Sequence, residues 1–69
     1  MSEYSLANDL AVWSKSVLGM TSKVVKSGNN TYEIYLNNIL RCRFDAANID
    51  GLQLGLTRFK MDVTSILGI

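Results

Sequence analysis

A chain of 69 residues with no histidine and a single cysteine, Cys42, has few of the usual devices for holding a small domain folded. One cysteine cannot close an internal disulfide, and without histidine or a second thiol a zinc site has no ligands. A domain of this size buries only about 60% of the surface that its unfolded chain exposes, so burial against further copies of itself is the remaining staple. The composition fits an ordered chain that hides part of its surface, with 48% apolar and 19% charged residues. The expectation is one domain over residues 1–69 that partners itself.

Several function classes lose their footing early. No apolar run approaches the roughly 20 residues of a membrane span, and Met1-Ser2-Glu3-Tyr4 lacks the basic start of a signal peptide. A cytoplasmic protein with no membrane partner is expected. Catalysis has little to work with: a nucleophile would have to be Cys42 or a lysine-activated serine, and Cys42 falls on an apolar strand face, where a thiol is inert. Glu33 and the aspartates show no paired spacing for acid–base work, and no glycine loop could cradle a phosphate. A non-enzyme is expected, with no cofactor, metal or small-molecule substrate.

Periodicity divides the chain into three segments. Leu6, Leu10, Trp13, Val17, Met20 and Val24 recur at spacings of four and three, which predicts a helix over about residues 5–26 with one apolar face. Ser5 is the expected N-cap, with Asp9 in the first turn, and Gly28-Asn29-Asn30 offers a stop. Gly19 weakens the middle, so an earlier end would leave Lys23 to Lys26 extended. In residues 31–45 the period becomes two. Tyr32, Ile34 and Leu36 alternate, as do Leu40, Cys42 and Phe44. A three-residue connection, Asn37-Asn38-Ile39, would pair Leu36 with Leu40, Ile34 with Cys42 and Tyr32 with Phe44. The other face then pairs Glu33 with Arg43.

The last segment, residues 49–69, reads two ways. As a helix, Ile49, Leu52, Leu56, Phe59, Val63 and Ile66 form a stripe; as strands, Leu52, Leu54 and Leu56 alternate, then Phe59, Met61 and Val63. Gly51 and Gly55 would each cost a helix about 1 kcal/mol relative to alanine. Asp50-Gly51 is a turn signal, and Val63-Thr64 with Ile66 and Ile69 is β-branched. The glycines tip the reading to strands.

With that reading, residues 31–69 resemble the Sm-like family of Hfq and LSm proteins. Phe59-Lys60-Met61-Asp62-Val63-Thr64-Ser65-Ile66-Leu67 is similar to the second motif of bacterial Hfq, Tyr-Lys-His-Ala-Ile-Ser-Thr-Val-Val. Glu33-Ile34-Tyr35-Leu36-Asn37-Asn38 resembles the first strand and turn of the first motif, and Ile49-Asp50-Gly51-Leu52 sits where that family has its Phe-Asp pair. Departures fall on the RNA-reading positions: Met61 replaces the signature histidine, Leu52 replaces the base-stacking aromatic, and the helix patch is reduced to Lys15.

The resemblance implies a mainly β fold, a five-stranded bent barrel behind an N-terminal helix, assembled into a homo-oligomeric ring. Phe59, Met61, Ser65, Ile66 and Leu67 would lie on the edge strands that join subunits. It also implies binding of single-stranded RNA, with Lys60, Arg58, Asp50, Leu52 and Phe59 as the candidate contacts. Lys15, Lys23, Lys26, Arg41 and Arg43 against Glu3, Asp9 and Glu33 make the first two-thirds basic, yet the net charge is only +1. Tyr35, beside Arg41 on the outer hairpin face, is the exposed aromatic, and Trp13 belongs to the core. The alternative is an α-ββ-α domain with a C-terminal helix: a protein-interaction module of the kind found among small regulators and phage structural adaptors. Its contact stripe would be Ala47, Leu54 and Met61.

Overall fold

A computed structural model describes residues 2–69. Helix α1 (Glu3–Trp13) runs into a π-helical turn (Ser14–Leu18), followed by β1 (Ser22–Lys26), β2 (Thr31–Leu36), β3 (Ile39–Asp45) and helix α2 (Ile49–Leu67). The strands form one antiparallel sheet in the order β1-β2-β3. Alternation along β2 turns Tyr32, Ile34 and Leu36 to one face, where they meet Leu6 and Leu10 of α1 and Leu52, Leu56 and Phe59 of α2. Both helices therefore cover the same face of the sheet, in a small two-layer α/β fold.

Helix α1 begins earlier and ends earlier than its apolar stripe predicts. Ser2, not Ser5, is the N-cap: Ser2 Oγ accepts from Ser5 N–H at 3.1 Å, and Ser5 Oγ accepts from Ser2 N–H at 3.1 Å. This reciprocal capping box puts Glu3, rather than Asp9, in the first turn. The helix stops at Gly19, which takes the left-handed conformation (φ 68°). Residues 22–26 are then free to pair as β1, and Val24 faces Ile34 across the sheet rather than extending the helix stripe. The fully buried Ser14 hydroxyl lies 3.1 Å from both Ala11 O and Met20 O, tying the helix end to the chain entering β1.

The hairpin keeps its inner pairs but not its expected turn. Asn37 and Asn38 both have positive φ (50° and 68°), which makes a two-residue turn pairing Leu36 with Ile39. Such a turn alone would put the apolar residues of the two strands on opposite faces. A bulge opposite Ile34 and Tyr35 absorbs Arg41 and resets the phase, so Ile34–Cys42, Glu33–Arg43 and Tyr32–Phe44 pair as expected. Leu40 pairs with Tyr35 instead of Leu36.

The largest correction concerns residues 49–67, which form a helix and not strands. Asn48 caps it, its Oδ1 accepting from Gly51 N–H at 2.9 Å, and Gly68 closes it in the left-handed conformation. Leu52, Leu56, Phe59 and Val63 fall on one side and pack on the core. Thr64, counted above towards a strand, turns its hydroxyl back to Lys60 O at 2.9 Å. The sheet accordingly has three strands where the Sm-like barrel has five. The α-ββ-α alternative has the right C-terminal helix but lacks β1.

Gly55 shows why a glycine belongs inside α2. A Cβ built at Gly55 would fall on the Phe44 ring, 2.6 Å from Cδ2. Absence of a side chain lets the helix lie directly on the β3 aromatic, so this glycine serves close helix–sheet approach.

Candidate functional site

The helix assignment redistributes every residue expected to touch RNA. Leu52 (1% exposed) and Phe59 (5%) are core side chains, and Asp50 lies exposed in the first turn of α2. Arg58 and Lys60, two residues apart on a helix, point to different sides. Arg58 is exposed, whereas Lys60 is half-buried with its ammonium 5.8 Å from the Trp13 ring centroid. Trp13 is thus a half-buried flank of the core, shielded by Lys60. The five residues do not converge on one surface.

The expected ring edges change in kind. Phe59, Met61, Ser65, Ile66 and Leu67 all lie on α2, whose backbone groups bond within the helix, so they cannot add strands to a neighbour. The strand edges that the fold does have are β1 and β3, at the two ends of the sheet order.

Most cations are engaged within the chain. Arg43 donates through Nε (3.0 Å) and Nη2 (2.7 Å) to Glu33 Oε2, and Tyr35 O–H donates to Glu33 Oε1 at 3.1 Å. Arg43 and then Tyr35 hold the Glu33 carboxyl below its ordinary range, although burial opposes them. Lys23 stands 5.5 Å over the half-buried Tyr35 ring, the place expected for Arg41, which the bulge carries away. Lys26 pairs with Glu3 at 3.7 Å, and Glu3 accepts from Tyr32 O–H at 2.7 Å. That bond, followed by burial, raises the Tyr32 pKa. Lys15, Arg41 and Arg58 remain, on three different elements.

What the fold does assemble is an apolar seam between β3 and α2. A groove of about 450 Å³ opens among Leu18, Met20, Leu36, Cys42, Val63 and Ile66. Beside it a cleft of about 330 Å³, lined by the Gly55–Phe44 contact itself, lies between Phe44 and Asp45 of β3 and Leu54 and Arg58 of α2. Cys42, Phe59 and Asp62 border both, which makes the two openings one continuous seam. Arg41 stands on the strand wall and Asp62 on the helix wall, both exposed. Neither forms an ion pair or side-chain hydrogen bond among the described residues.

The apolar character of the seam continues outward. Ile66 lines the groove yet is 84% exposed, and Leu67 and Ile69 beyond it are exposed as well. Leu54 and Met61, members of the stripe expected for an interaction module, are 54% and 64% exposed on the outer side of α2. Ala47 is exposed too, but it precedes the helix and does not share its face. Burial, with the Asp62 charge adding to it, pushes the Cys42 thiol pKa up, so it is held protonated at neutral pH. The seam is the feature that sequence reasoning missed. Its only advance signal was the helix stripe running past Phe59 to Ile66, apolar further than a core this small needs.

Among the described residues, no helix is long and apolar enough to cross a membrane. Comparison with protein-family models, curated proteins and solved structures finds no match to this chain.

Proposed function

We propose that this chain is a non-catalytic protein-interaction module that docks another protein chain on the β3–α2 seam. The observation that carries the reading is Ile66, a groove-lining side chain left 84% exposed at the end of a continuous apolar seam. A concave apolar surface with a sparse charged rim supports protein docking. A reduced thiol at its centre suits a cytoplasmic setting.

RNA binding, the function implied by the Sm-like resemblance, has less support. Single-strand recognition needs aromatic platforms beside a continuous positive track. Here Tyr35 lies under Lys23, Trp13 lies under Lys60, and the unengaged cations are dispersed.

The test is anilinonaphthalene sulfonate fluorescence in dilute solution, beside a titration with a mixed-sequence single-stranded RNA oligomer. The native chain should bind the dye, Ile66→Asp should abolish that binding with the circular dichroism spectrum unchanged, and RNA should not saturate at physiological salt. Unaltered dye binding in Ile66→Asp would refute the seam. Salt-dependent RNA binding lost in Lys60→Ala would restore the RNA reading in its place.

A further inference from the structure

We infer that the chain docked on the seam is a second copy of this one, related by a two-fold axis. The inference rests on the docking role just proposed and names its partner.

A two-fold contact sets residue i of one protomer against residue j of the other, and j against i. The groove of the seam carries one cation on its strand wall, Arg41, and one anion on its helix wall, Asp62, neither partnered among the described residues. A single symmetry operation therefore makes two ion pairs, Arg41 to Asp62 of the other protomer and the reverse. The adjoining cleft has the same balance with the signs exchanged, Asp45 on the strand and Arg58 on the helix. A partner of one dominant sign would meet one attractive and one repulsive charge on each wall.

The same patch holds a groove and, at its lip, the protruding Ile66. Under a two-fold axis each Ile66 enters the groove of the other protomer, so knob and hole need no second surface.

Energetics point the same way. Among the described residues the core has nine buried apolar side chains, and the only cysteine is free. So small a domain gains stability from each further apolar side chain removed from water.

Sedimentation equilibrium on the full chain, from micromolar to millimolar concentration, tests this with charge-reversal variants. Arg41 and Asp62 are exposed, so reversing them leaves the fold intact, which circular dichroism verifies. A monomer–dimer equilibrium is expected. Arg41→Asp and Asp62→Arg should each raise its dissociation constant at least about tenfold, and the double variant should return to within about threefold of the native value. A dimer indifferent to these reversals overturns the inference. A chain monomeric at every concentration also overturns it. If that monomer still loses dye binding on Ile66→Asp, the seam docks a different protein; if it does not, the docking reading falls as well.

Discussion

The Phe44 ring occupies the space that a side chain at Gly55 would fill, and this one contact sets how closely α2 lies on the edge strand β3. Both residues line the cleft, which meets the groove at Cys42, Phe59 and Asp62. Fold and seam therefore share an origin in a glycine–aromatic pair.

The two glycines of α2 should respond oppositely to alanine. At Gly55 the new Cβ collides with Phe44, and overpacking of about 1–3 kcal/mol outweighs the helix-propensity gain of about 1 kcal/mol. At Gly51 the nearest atom, Ala46 Cβ, is 3.4 Å from an added Cβ, an ordinary contact, so only the propensity gain remains. Thermal melts should show Gly55→Ala below the native chain and Gly51→Ala at or above it.

Loss of the α2 cap should weaken the whole domain. Asn48→Ala leaves the Gly51 N–H without its 2.9 Å acceptor and should cost about 1 kcal/mol in a urea titration. Asn48→Asp should retain most of the stability, because it keeps the acceptor and adds negative charge at the helix N-terminus.

Glu33 should make stability fall on the acid side. Its pKa is depressed when folded, so its contribution is present above the ordinary glutamate value of about 4.3 and is lost as pH falls through the folded value. Glu33→Gln should flatten the acid limb of stability against pH, while the native chain loses stability steeply below about pH 4.3.

Asp62 should slow the chemistry of Cys42. Burial raises the thiol pKa first and the Asp62 charge raises it further. In dilute solution at mildly alkaline pH, Asp62→Asn should alkylate faster with iodoacetamide than the native chain. The gain is partial, because a less basic thiolate is also less nucleophilic.

Local signals were legible in the sequence wherever one residue answers to its immediate neighbours. The first helix, the Glu33–Arg43 pair and the inner-face pairs Ile34–Cys42 and Tyr32–Phe44 follow from period and charge. The turn did not, because Asn37-Asn38 and the bulge at Arg41 are two irregularities that cancel in phase. Gly55 misled most. Its helical cost is local and visible, whereas its compensation, the Phe44 ring, lies eleven residues away and is found only through the fold. Leu52, Leu56, Phe59 and Val63 suit a strand pair almost as well as a helix, so nothing local corrected the choice, and the Sm-like resemblance depended on it. The seam was hidden for the same reason: strands at residues 49–67 leave no groove between β3 and a helix.

Cys42 is the built-in reporter of the seam, since it borders both the groove and the cleft. Its alkylation rate, followed by mass spectrometry as chain concentration rises from micromolar to millimolar, measures directly whether that surface becomes covered. The rate per molecule should fall as protomers meet, while Ile66→Asp keeps its dilute rate throughout. An alkylation rate independent of concentration in the native chain would contradict self-association at the seam.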